Sequence, residues 1–124
     1  MKICVTSQGD TLDARVDPRF GRAPYFLLVD TETMAFEAMI NAAVQAPGGV
    51  GIVAAKQVID AGVGAVLTGN CGPNAFRTLA AGGAAVYTGV SGSVRQAVEA
   101  FRSGGMTPDS QASADSHSGM DQQA

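Results

Sequence analysis

AVLTGNCGPNAFR, residues 65–77, runs from an apolar stretch through a glycine turn into a segment opened by proline. Ala65 to Thr68 reads as a buried strand, and Pro73 stands at the first helical position, where its fixed φ suits a helix and its missing N–H costs nothing. The turn between them carries one thiol and, with the helix start, two carboxamides: Asn70, Cys71 and Asn74. Gly69 and Gly72 remove side-chain bulk, so a ligand could reach backbone N–H groups there. The helix N-terminus beyond favours negative charge. A site at this turn therefore suits an anion.

Reading outward, the helix over Pro73–Ala81 ends at Gly82-Gly83 and a strand follows at Ala84–Tyr87, which completes a β-α-β unit. Upstream, Ile52, Ala55 and Ile59 share one helical face with Val58 beside them, and Gly62 is a natural stop. The last helix is clearly marked. Ser93 and Gln96 form a capping box, Val94, Ala97, Val98 and Phe101 repeat at helical spacing, and Gly104 terminates it. At the other end of the chain, Lys2–Ser7 reads as a short strand. Tyr25–Asp30 and roughly Met34–Ile40 flank Thr31-Glu32-Thr33 as a hairpin. The order βββαβαβα predicts a mixed five-stranded α/β sheet with helices on its faces.

With 124 residues the chain is expected to hold one domain, over residues 1–103. All eight basic residues and eight of the eleven acidic ones lie in that span, so the domain is neutral and the formal charge of −3 comes from the tail. Without a basic face, nucleic-acid binding is not expected. Residues 104–124, rich in Ser, Asp, Gln, Gly and Ala, read as a disordered tail, with His117 as a solvated residue in it. No segment approaches the roughly 20 apolar residues that span a bilayer, and MKICVTSQGD lacks the apolar run of a signal peptide. A cytoplasmic monomer with two free thiols is the expectation. Cys4, inside an apolar strand, reads as core.

Four stretches together resemble a known family: DPRFGRAPYFLLVD (17–30), PGGVGIVAAKQVIDAGVGAVLTG (47–69), GNCGPNAFR (69–77) and VYTGVSGSVRQAVEAF (86–101). The resemblance is to the dinitrogenase iron–molybdenum cofactor-binding family, which contains NifX-type carriers, the C-terminal part of NifB-type proteins and the orange-protein type. It implies a ribonuclease-H-like fold with the second strand antiparallel. It also implies an anionic ligand, either a molybdenum–copper sulfide cluster or one like the iron–molybdenum cofactor. P-loop ATPases of the MinD/ParA kind are the partners it suggests, and a ligand-free adaptor for such an ATPase is the alternative function.

In such a sheet, ligands bind outside the carboxyl ends of the parallel strands. Three loops are expected to converge there: residues 8–24, Gly69–Asn74 and Thr88–Ser93. Arg15, Arg19 and Arg22 lie on the first. Guanidinium forks at Arg19 and Arg22, backbone N–H groups at Gly69, Gly72, Gly89 and Gly92, and polar side chains of Asn70, Asn74 and Ser91 would suit a sulfide-rich anion. The competing reading pairs Arg15, Arg19 and Arg22 with Asp10, Asp13 and Asp17 on a solvated loop. Cys71 at its glycine turn reads either as a metal ligand with a depressed thiol pKa or as a small buried residue. There is no C-x-x-C and no second histidine for zinc or a four-cysteine cluster, so any metal is expected to arrive preassembled. Clustered carboxylates for two-metal hydrolysis are missing from the central strands, and G-x-x-x-x-G-K-[ST] is absent; an enzyme is not expected. The loop over residues 8–24, polar and without regular apolar period, is expected to be mobile until a ligand orders it.

Overall fold

A computed structural model describes residues 1–113. Five strands, β1 Lys2–Ser7, β2 Tyr25–Asp30, β3 Phe36–Ile40, β4 Ala65–Leu67 and β5 Ala85–Tyr87, form one sheet in the order β3-β2-β1-β4-β5. β2 runs antiparallel to both β1 and β3, while β4 is parallel to β1 and to β5. This is the mixed α/β sheet expected from the sequence.

Three helices cover it: α1 Val50–Asp60, α2 Pro73–Ala81 and α3 Val94–Arg102. Strand alternation sorts the core into two layers. Cys4, Phe26, Leu28, Val66 and Val86 pack under α1 and α2 with Ala54, Ala55, Val58, Ala75 and Leu79. Ile3, Val5, Leu27, Val29, Ala65 and Leu67 face α3 through Val94, Ala97 and Val98. Central strands covered on both sides read as continuous apolar runs, which is why β1 and β4 lack a polar face. The α3 capping box forms as its sequence predicts, with the Ser93 hydroxyl accepting from Gln96 N–H at 3.0 Å and the Gln96 carboxamide from Ser93 N–H at 2.9 Å.

Several details differ from the sequence reading. Ile52, placed by periodicity on the buried face of α1, lies at its rim with Val53, while Ala54 supplies the contact. The close approach of α1 to α2 explains it: a Cβ on Gly51 would sit 3.3 Å from Ala75 Cβ, so the buried face is lined with the smallest residues. A short 3-10 turn over Ala42–Gln45 was not foreseen. It is capped by Asn41 and held to α1 by Gln57, which donates to Ile40 O at 2.8 Å and accepts from Ala42 N–H at 3.0 Å. Residues 104–113, expected as part of a disordered tail, instead run back along the body. Asp109 N–H donates to Val86 O at 2.7 Å and Ser113 N–H to Cys71 O at 3.1 Å. Backbone bonds to a strand edge need no apolar signal, so composition could not reveal them. His117 and the rest of the tail lie outside the described residues.

Candidate functional site

The three loops at the carboxyl ends of β1, β4 and β5 meet as expected, and they are fastened to one another. Gly89 N–H donates to Gly69 O at 2.9 Å and Val90 N–H to Thr68 O at 3.1 Å, joining the turns after β4 and β5. Residues 8–24 cross both. Val16 N–H reaches Gly92 O at 2.8 Å, Arg15 pairs with Ser93, Phe20 N–H reaches Asn70 O at 3.1 Å, and Arg19 pairs in parallel with Asn70. Leu12 and Val16 enter the α3 layer, whereas Phe20 and Ala23 enter the α1/α2 layer. The expectation of a mobile loop is therefore corrected: its apolar residues serve two different cores, and its backbone is tied to the turns after β4 and β5.

Under the loop lies a buried polar floor. The Thr6 hydroxyl sits 2.7 Å from Asp17 O and 2.9 Å from the Thr68 hydroxyl. Asp17, 2% exposed, accepts the Arg19 N–H at 2.8 Å and lies 3.5 Å from Arg19 Nε. Of the carboxylates offered as partners for the loop arginines, Asp17 takes Arg19, while Asp13 pairs instead with Arg95 at 3.0 Å. The Arg19 side chain stays 62% exposed, so its guanidinium keeps donors for a ligand.

Gly69 has a role other than the one expected. A Cβ there would fall 2.6 Å from Pro18 Cα and 2.8 Å from Pro18 O, so the space it leaves is filled by the Asp17–Arg19 backbone, not kept for a ligand. Gly92 is also structural: its φ is +86° and a Cβ would meet Gln96 Oε1 at 2.6 Å, against the capping box. Ser91 is exposed and Gly89 adopts φ +73° with open space beside it, both in the turn after β5, whose far end joins the Arg15 side of the loop. The Asn74 carboxamide oxygen accepts from Arg77 at 2.5 Å, which leaves its NH2 as the available end. Asn70 is exposed and Gly72 partly so, beside Arg19.

The sequence reading overlooked the start of α1. A Cβ on Gly21 would touch Val50 Cγ1 at 3.2 Å and the Gly51 backbone at 3.5 Å, and Gly51 packs on Ala75 in the first turn of α2. Arg19 and Arg22 thus flank a place where two helices begin. Neither Gly49 nor Gly72, the two N-cap residues, brings a side-chain cap, so both first turns present amide dipoles without a resident acceptor from the cap. The signal was present in Gly48-Gly49-Val50-Gly51, whose glycines follow the requirement of φ +64° at Gly49 and of close packing at Gly51.

Cys71 is 1% exposed, and its N–H donates to the Ser113 hydroxyl at 2.8 Å. Burial, with a smaller contribution from the Asp109 carboxylate, pushes its thiol up to about 12. A depressed, metal-ready thiolate was one of the two readings; the environment does the opposite and keeps the thiol neutral. Burial raises the Cys4 thiol as well. Both raised values have a consequence for stability. Below the ordinary value of 9.0, folded and unfolded chains both hold these protons. Above it the unfolded chain releases them and the folded chain does not, so stability falls as pH rises. Denaturant unfolding between pH 9 and 11 should lose about 1.4 kcal/mol per pH unit for each thiol. The double substitution Cys4→Ala, Cys71→Ala should flatten that slope; an unchanged slope would contradict it.

Among the described residues no three His, Cys, Asp or Glu side chains gather to hold a metal ion, and no helix is long and apolar enough to cross a membrane. The groups gathered at this end of the sheet are guanidinium groups and uncapped helix amides. Residues 1–104 match the model of the family described as dinitrogenase iron-molybdenum cofactor. The chain belongs to this family. This chain is similar to the apo form of the orange protein from Desulfovibrio gigas, with 42% identity, TM-score 0.87, and coverage of 90% of this chain and 94% of that one. A putative NifB protein from Thermotoga is 34% identical with TM-score 0.74, over 86% of this chain and 91% of that one. An uncharacterized protein of Methanocaldococcus jannaschii is 30% identical across 93 residues, 73% of this chain and 79% of its own length. Family and neighbours together support binding of a metal-cluster cofactor.

Proposed function

We propose that the chain binds, stores or delivers a preassembled, molybdenum-containing metal–sulfur anion without covalent attachment, and that it catalyses no reaction. The observation that supports this reading is that the backbone carrying Arg19 and Arg22 runs beside Asn70 and, through Gly21, beside the start of α1, near two helix N-termini that lack side-chain caps. Guanidinium forks and amide N–H groups donate to sulfide, and their positive potential offsets the charge of a thiometallate. Arg19, Arg22, the Asn70 and Asn74 amides and the backbone at Gly72 would hold the anion. Gly89 and Ser91 would border it. Cys71, neutral and covered, would lie near the cluster and not on a metal.

The resemblance to the orange-protein type favours a molybdenum–copper sulfide cluster over one like the iron–molybdenum cofactor. Two free thiols suit a reducing compartment, so the carrier is proposed as a cytoplasmic monomer. Protein purified without oxygen from cells supplied with molybdate should contain molybdenum in a fixed ratio to polypeptide and absorb in the visible. Colourless protein free of molybdenum and copper under those conditions would overturn the reading.

A further inference from the structure

Residues 106–113 run across β5 and the turns after β4 and β5. The segment leaves α3 with Met106 packed on the α3 layer, and Asp109 then takes hold of the β5 edge through its N–H on Val86 O at 2.7 Å. The Asp109 carboxylate accepts from the Thr88 hydroxyl at 2.5 Å, in the turn after β5. Four residues on, Ser113 closes a reciprocal pair with the turn after β4: its N–H donates to Cys71 O at 3.1 Å and its hydroxyl accepts Cys71 N–H at 2.8 Å. That N–H belongs to the glycine turn in front of α2, and under the contact Cys71 is 1% exposed. The segment therefore places a negative carboxylate and a hydroxyl acceptor where a site for anions would present donors. Its grip is a handful of polar contacts with no apolar anchor beyond Met106, Ser113 being exposed and Asp109 and Thr88 half-buried, and such contacts open locally at small cost.

We propose that residues 106–113 are a strap that covers the Cys71 turn in the empty protein, competes with the anion for that turn, and is displaced when the anion is loaded. The proposal rests on the cluster-binding reading above. The strap acts as a built-in stand-in for the ligand. Its hydroxyl takes the Cys71 N–H, and its carboxylate repels a like-charged guest until both are released together.

Ser113→Ala and Asp109→Asn, each made in the full chain, test it with two readouts. The first is the alkylation rate of Cys71 by iodoacetamide in the empty protein, with Cys4, 0% exposed and far from the strap in sequence, as the internal control. The second is the dissociation constant of tetrathiomolybdate measured anaerobically. Each substitution should speed Cys71 alkylation by about tenfold and tighten tetrathiomolybdate binding by about three- to tenfold, with Cys4 unchanged. Ser113→Ala alters no charge, so its effect isolates the cover from the repulsion. Unchanged Cys71 alkylation in both variants would show that the segment does not cover the turn. Faster alkylation with unaltered affinity would show that it covers the turn but does not compete, and would also overturn the proposal. If tetrathiomolybdate binds no form of the protein, the cluster reading fails and the competition falls with it, while the alkylation rates alone still decide whether the cover exists.

Discussion

Phe20→Ala should lower the free energy of unfolding by about 3 to 5 kcal/mol, the range for removing a large aromatic side chain from a packed core. Phe20 is 2% exposed and stacks on Phe26 with ring centroids 5.5 Å apart and an interplanar angle of 29°. Its own N–H is the bond to Asn70 O that ties the arginine loop to the turn after β4. The ring thus anchors the stretch of loop that carries Arg19 and Arg22. Urea unfolding checks the stability loss, and amide exchange at residues 15–22 should accelerate beyond the global change. A loss below about 1 kcal/mol would mean that the loop is not anchored through this side chain.

Arg22→Ala is expected to weaken binding of tetrathiomolybdate by about ten- to hundredfold while leaving the unfolding curve in place, since a charge-assisted hydrogen bond in a partly dehydrated site contributes roughly 1.5 to 3 kcal/mol. Arg22 is exposed, so little packing is lost. Arg19→Ala should weaken binding similarly but also cost a fraction of a kcal/mol in stability, because it removes the guanidinium 3.5 Å from the buried Asp17 carboxylate. Lysine at either position should restore part of the affinity through charge and not all of it, as the fork is lost. Full affinity in both alanine variants at matched ionic strength would exclude the arginine loop as the anion clamp.

How much of this was legible in the sequence depended on the range of the forces involved. Pro73 at a helix start, the Ser93–Gln96 capping box and the apolar period of α3 are local devices, and each forms where the sequence places it. The mixed five-stranded sheet followed from connection rules applied to those elements, while its strand order, β3-β2-β1-β4-β5, was not legible. The loop over residues 8–24 hid its order because Leu12 and Val16 serve one core layer and Phe20 and Ala23 the other, so no single period links them. Gly69 was read for ligand access, yet its partner is Pro18, 51 positions away along the chain. The thiol of Cys71 was read two ways, as activated by the helix N-terminus beside it or as a small buried residue, and the structure agrees with the second. The cover over it comes from a segment with the composition of a disordered tail, which the sequence could not reveal. The start of α1 escaped notice as part of the site because its glycines carry no functional group; their contribution is close packing and an uncapped first turn.

The central claim, a crevice of arginine and amide donors that takes an anionic metal–sulfur cluster without protein-derived metal ligands, is tested most directly by anaerobic titration of the protein with tetrathiomolybdate, alone and with copper(I), followed in the visible. The account predicts saturable binding at one site per chain, with a sulfide-to-metal charge-transfer band distinct from those of the reagents. That band should be kept by Cys71→Ser and lost with the double substitution Arg19→Ala, Arg22→Ala. A spectrum equal to the sum of protein and reagents at every ratio would contradict it.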